Sequence, residues 1–260
     1  MGCGDDWLYI VDPPKSGGDN MRADRTLLKW AEECPTNVTA VRFYRWTIPT
    51  ISLGRNQKIQ GAIDPCYCRQ EAVPIVRRPT GGRAVFHHDE VTYALVSNDD
   101  SFFPLMNISG TYRLIASALQ AGLERLGILT TLAKKPSDDS SSIRGKKSHP
   151  CFISPSRNEL LSGDLKIVGS AQKQLRRSFL QHGSIPLRVD YTRMAKALAS
   201  EETVLHNHLT SLLEVTGREI TFEETCKALK KGIEETFSVQ LQSSHPAQLP
   251  RTLQSVVACE

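Results

Sequence analysis

Two side chains with the chemistry of a nucleophile and its activator, Cys151 and Lys166, stand 15 positions apart. A thiol attacks well only as its thiolate. A neighbouring cation stabilises that thiolate and draws its pKa below the free value of about 8.5. Taken singly, each residue has a plainer reading. A cysteine is more often a small buried hydrophobe, and the lysine in Leu165-Lys166-Ile167-Val168 can simply point outward from a half-buried strand. Together they make a reactive pair, provided the fold brings them into contact. A second concentration of polar groups lies at residues 75–93, IVRRPTGGRAVFHHDEVTY. Pro79-Thr80-Gly81-Gly82 sits between two apolar runs, as a tight turn does, and paired glycines let a ligand approach the backbone closely. Arg77, Arg78, Arg83, His87 and His88 crowd donors around it. The plain reading is a solvated basic hairpin; the sharper one is a loop that holds a polar head beside an apolar tail.

These residues need a scaffold, and 260 residues suffice for one large domain or two small ones. A chain 40% hydrophobic and 23% charged is ordinary for a globular protein. No run approaches the roughly 18 apolar residues that span a bilayer, and MGCGDDWLYI lacks the basic and apolar segments of a secretory signal. A cytoplasmic protein is expected. Seven cysteines without repeating spacing are expected as thiols. Cys66-x-Cys68 lacks the second pair that a structural zinc needs, so no metal is expected. A net charge of +4, not gathered into Lys/Arg stripes, suits an acidic protein partner better than nucleic acid.

In chain order, residues 7–14 read as a leading strand, and a helix begins at Asp19 with Leu27, Leu28 and Ala31 on one face. Residues 38–46 alternate like a half-buried strand, with Val41 and Phe43 opposite Arg42, Tyr44 and Trp46. A short strand follows at residues 51–55, and residues 91–96 extend the second strand of the polar stretch. Residues 109–127 form the clearest helix, with Ile115, Leu119, Leu123 and Leu126 as its stripe and Gly127 as its stop. Residues 133–150 read as a long loop leading to Cys151. Strands are expected at 165–168 and 179–187, then a helix capped by Asp190 and another opened by Thr221 and Glu224 as a capping box. One α+β domain with a helical C-terminal segment results.

The combination RRPTGGRAVFHHDEVTY, KIVGSAQ and LQHGSIPL resembles the catalytic domain shared by lipoate–protein ligases, biotin–protein ligases and octanoyltransferases. YRWTIPTISLGRNQ and PCFISPSRNELLSGDLKIVGSAQ resemble most closely its cysteine-dependent octanoyltransferase branch. The biotin-ligase phosphate loop G-R-G-R-x-G is missing, and only short helices follow Leu187 in place of the large accessory domain of many lipoate ligases. The resemblance implies a mixed sheet flanked by helices, like class II aminoacyl-tRNA synthetases, spanning residues 1–242 with its helical segment at 190–242 and a tail at 243–260. It makes Cys151 the acyl-thioester nucleophile and Lys166 the residue that lowers its pKa. Arg78, Gly81, Gly82 and His87 fall on its acyl-binding motif. Gly169, Gln172, His182 and Gly183 fall on strands lining the same tunnel. Arg22 and the doubled His87-His88 depart from its usual pattern and bear on chain-length preference. The implied reaction moves octanoyl from acyl carrier protein to a lysine of a lipoyl domain, such as the glycine-cleavage H protein. It needs no cofactor, nucleic acid or membrane, and a monomer is expected. An ATP-dependent lipoate ligase, an amidotransferase between lipoyl domains and a non-catalytic carrier-binding protein are the alternatives.

Overall fold

Apolar periodicity becomes layered structure in a computed structural model that describes residues 6–105, 107–133 and 159–243. The elements are β1 (Asp6–Val11), α1 (Gly17–Glu33), β2 (Thr39–Tyr44), β3 (Thr50–Leu53), α2 (Pro65–Gln70), β4 (Ile75–Arg77), β5 (Val85–His87), β6 (Glu90–Ser97) and α3 (Ile108–Glu124). They continue as β7 (Thr131–Leu132), β8 (Leu160–Ser162), β9 (Leu165–Gln174), β10 (Phe179–Pro186), α4 (Tyr191–Ala197), α5 (Glu202–His206), α6 (Leu212–Thr216), α7 (Phe222–Phe237) and β11 (Gln240–Ser243). Among the described residues, eight strands form one sheet in the order β11-β1-β2-β6-β10-β9-β8-β7. The pairs β1–β11 and β1–β2 are parallel, whereas β2–β6, β6–β10 and β9–β10 are antiparallel. The expected mixed sheet flanked by helices is therefore the architecture of this chain.

Helix α1 covers one face. Its Leu27, Leu28 and Ala31 join Ile10, Tyr44, Ala94 and Leu180 in one apolar cluster. Helices α3 and α7 cover the other, setting Ile115, Leu119, Leu229 and Ile233 against Val41, Phe43, Tyr93 and Phe179. With both faces covered, every residue of β2 and β6 is buried. This corrects the half-buried reading of residues 38–46, because the polar side of that strand also lies under a helix. Arg42 is only 1% exposed, and a buried charge persists only with partners. Its Nε donates to Asp12 Oδ2 at 2.6 Å, Nη1 to Asp24 Oδ1 at 2.8 Å and Nη2 to Asn20 Oδ1 at 2.8 Å.

Short-range chemistry sets the helix ends. Ser16 accepts from the Asp19 N–H to cap α1, Asn107 caps α3 and Asp190 caps α4. Thr221 accepts from the Glu224 N–H at the start of α7, and the Glu224 carboxylate pairs with Arg218 at 2.7 Å instead of closing a reciprocal box. The reciprocal capping box belongs to α6, between Ser211 and Glu214. The runs flanking residues 79–82 do not pair as a hairpin. Strand β3 inserts between them, parallel to β4 and antiparallel to β5. Strand β11 reaches Ser243, the first residue of the expected tail. Residues 244–260 and the expected loop, Ala133 apart, lie outside the described residues. No helix among the described residues is long and apolar enough to cross a membrane.

Candidate active site

The loop between β4 and β5 is built on its own arginine. Arg78 is 5% exposed. Its Nη2 donates to the Gly81 and Arg83 carbonyls at 2.8 and 2.7 Å, and its Nη1 to the Ser52 carbonyl at 2.8 Å. One guanidinium thus ties the loop to β3, as five forked donors permit. Arg77 turns the other way and donates to the Gly54, Arg55 and Gln57 carbonyls. Gly82 has φ +96°, in the region that favours glycine. A Cβ on Gly54 would lie 1.9 Å from the Gly82 carbonyl oxygen, so that crossing admits no side chain.

Above this loop lies a cavity of about 90 Å³. Met21, Tyr44, Trp46 and Val85 give it an apolar wall, and Arg78, Gly82 and His87 come from the loop and β5. Lys166, Gly169, His182 and Gly183 come from β9 and β10, and Ser52, Glu159 and Ser184 complete its polar side. Lys166 is not an outward-facing strand residue. It is 4% exposed, and its Nζ donates to Glu159 Oε1 at 2.5 Å. Its backbone is held from the helical segment, accepting from the Thr210 N–H and donating to the His208 carbonyl at 3.0 and 2.9 Å. The residues between α5 and α6 therefore fix where this lysine stands.

Both histidines that line the cavity are anchored from behind. His182 Nδ1 lies 2.7 Å from Asp24 Oδ2 and its Nε2 2.7 Å from Thr80 Oγ1. Burial lowers the His182 pKa and the nearby Arg78 and His87 add to this, so the Asp24 contact does not restore its ordinary value. Burial alone would raise the Asp24 pKa, but the His182 hydrogen bond and the Arg42 charge hold it below the usual carboxylate value. The second, His87, stacks on Trp46 with ring centroids 4.1 Å apart. Burial would likewise raise the Glu90 pKa, yet His87 and the Ser184 and Thr92 hydroxyls hold it down.

A family model for the lipoyl protein ligase A/B catalytic domain matches residues 16–234, nearly all of the chain that carries this cavity. The chain belongs to that family. Among curated relatives it is 31% identical over 244 residues to octanoyltransferase LipM of Bacillus cereus, covering 90% of this chain and 87% of the relative. It is 35% identical over 262 residues to octanoyltransferase LipM of Carboxydothermus hydrogenoformans, covering 95% and 92%. Among solved structures, a lipoate-protein ligase A bound with ATP superposes with a TM-score of 0.80 at 17% identity, covering 97% of this chain and 92% of that one. A bi-partite lipoate protein ligase of Thermoplasma acidophilum gives 0.74 at 17% identity, covering 97% and 90%. These two likenesses concern the fold alone.

Within this lipoyl ligase-type domain, the sequence-predicted residues Arg78, Gly82, His87, Lys166, Gly169, His182 and Gly183 meet on one cavity. Gly81 sits at the exposed crest of the loop, where its carbonyl accepts from Arg78. Gln172 is not on the cavity wall. It pairs across the ladder with Gln181, whose side chain donates to Tyr93 on the α3–α7 side of the sheet. Cys151 lies outside the described residues. Sequence reasoning missed Asp24, Ser52, Glu90 and Glu159. A signal existed for Asp24, which stands three, four and seven positions before Leu27, Leu28 and Ala31 and so shares their apolar face.

Proposed function

We propose that this chain is an octanoyltransferase of lipoate synthesis. It takes octanoyl from acyl carrier protein onto the Cys151 thiolate and passes it to a lysine of a lipoyl domain, the glycine-cleavage H protein among them. The observation that carries this reading is a single cavity uniting an apolar wall, suited to an acyl chain, with the buried cation of Lys166. Relatives named as octanoyltransferases, similar over most of the chain, support it. In this reading Lys166 favours the Cys151 thiolate, and residues 1–242 act as one catalytic domain in the cytoplasm, as a monomer. The acyl donor and the enzyme intermediate are both thioesters, so the transfer needs no ATP. Backbone N–H groups of the glycines on the cavity wall are candidates to stabilise the oxyanion.

The test offers each donor in turn. Octanoyl-acyl carrier protein without ATP or magnesium should place an octanoyl mass first on the enzyme and then on a lipoyl domain. Cys151→Ser should remove both, because a hydroxyl ionises far less readily than a thiol. Modification that requires free octanoate or lipoate with ATP would replace this reading with a ligase. Modification with neither donor would leave a carrier-binding protein.

A further inference from the structure

His87 stands between a hydroxyl and a carboxylate on the cavity wall. Ser52 Oγ lies 2.7 Å from His87 Nε2, and His87 Nδ1 lies 2.8 Å from Glu90 Oε1. Arg78 Nη1 donates to Ser52 Oγ at 3.2 Å. Glu90 can only accept, so Nδ1 carries the hydrogen of the neutral ring and Nε2 is left to accept from the Ser52 hydroxyl. Glu90 is 3% exposed. It is fixed by donation from Trp46 Nε1 at 3.2 Å, from Ser184 Oγ at 2.5 Å and from Thr92. A carboxylate so restrained can steady a positive charge arising on the imidazole without reorganising. The molecule contains a comparison. Thr80, His182 and Asp24 present the same three groups in the same order. Both hydroxyls are buried, but Thr80 is absent from the cavity wall, whereas Ser52 and His87 both line it. The first arrangement reaches the ligand space and the second braces the fold.

We propose that Ser52, His87 and Glu90 form the proton relay that takes a proton from the acceptor amine. This rests on the transferase reading above. A lysine arrives as an ammonium ion and attacks only after losing a proton. In the step, nitrogen bonds to the octanoyl carbon and the carbon–sulfur bond breaks, its electron pair leaving on Cys151. Of the two protons released, one passes through Ser52 Oγ to His87 Nε2 and then to water. The other restores the Cys151 thiol. Glu90 faces the imidazolium while it exists. His87 and Ser52 thereby serve the second half of the reaction, and Lys166 serves the first.

The experiment loads the enzyme from octanoyl-acyl carrier protein, removes the donor, and follows loss of the acyl mass at neutral pH. One portion meets a lipoyl domain, and another meets hydroxylamine, an amine already unprotonated at that pH. His87→Gln should lower the ratio of lysine transfer to hydroxylamine transfer by about 10²-fold, the size of a general-base contribution. Ser52→Ala should lower it in the same sense, and it removes a single oxygen should His87→Gln fail to fold. An unchanged ratio in Ser52→Ala and in folded His87→Gln, with both acceptors slowed alike, would make these residues shapers of the cavity and overturn the relay. A wild-type enzyme that never gains the acyl mass would instead defeat the thioester reading, and the relay with it.

Discussion

Lys166 and Glu159 hold opposite charges in contact beneath the cavity, each with a side chain 4% exposed. Such a pair contributes modestly to stability while intact, yet breaking it leaves a charge in an apolar place at a cost of about 3–5 kcal/mol. In the proposed mechanism it would also moderate the field of Lys166 at the Cys151 thiol. Two substitutions should therefore move the thiol in opposite directions. Lys166→Ala should push the alkylation profile of Cys151 with iodoacetamide to higher pH, and Glu159→Gln should draw it to lower pH, because the lysine charge is then less offset. Both should lower the urea midpoint. Profiles that coincide with the wild type would remove Lys166 from thiol activation and leave it a structural or ligand-contacting residue. His182 shows the complementary arrangement. Its neighbours keep it buried beside Asp24, and its place is to hold Thr80, and with it the loop, against β10.

The loop between β4 and β5 owes its shape to a strand inserted between its ends. Because β3 pairs with both, Gly54 at the end of β3 is pressed against the Gly82 carbonyl. Gly54→Ala should push the loop aside, costing about 1–3 kcal/mol of stability as overpacking does. Enzyme acylation should fall further than that loss explains, and intact-mass kinetics set beside a urea titration would show it; equal losses would mean that the loop tolerates displacement. This arrangement also marks where the sequence was readable. Helices α1, α3 and α7 announce themselves through apolar spacing and capping residues, which are local. The positions of Arg78, His87, Lys166 and His182 followed from motifs that keep their spacing. The insertion of β3 is a non-local pairing, and nothing within residues 75–93 records it. Helix α2 did carry a signal, Asp64 capping and Pro65 opening the first turn, hidden behind the more conspicuous cysteines Cys66 and Cys68. Strand parity also placed Gln172 opposite Gly169 and Ala171, because side chains alternate faces. Glu159 was unreadable as a partner, since only the pairing of β8 with β9 carries it back to Lys166.

At the scale of the whole molecule, the buried ionisable groups set an acid limit. His182 has its pKa lowered from 6.5 in the folded protein. The unfolded chain therefore gains a proton as pH falls through that value while the folded chain does not, and stability declines. Asp24 and Glu90 are lowered from 3.8 and 4.5. Their contribution is full above those values and is lost as pH falls through the folded ones. Each group approaches a slope of about 1.4 kcal/mol per pH unit within its window. Urea midpoints measured against pH should thus descend in two stages. His182→Gln should abolish the first stage and retain the second; a two-stage descent unchanged in that variant would assign the first to another group. The sheet has one more consequence, and it concerns time. Strand β11 lies beside β1, and the Trp7 and Phe237 rings pack with centroids 4.9 Å apart, across nearly the whole described chain. A ribosome delivers one of these partners at the start of the domain and the other at its end. While the intervening chain is made, β1 keeps an unpaired edge and Trp7 an open flank, the kind of surface that invites wrong association. Among the described residues the last strand closes the first, so the newly made chain should remain vulnerable to aggregation until β11 has been synthesised.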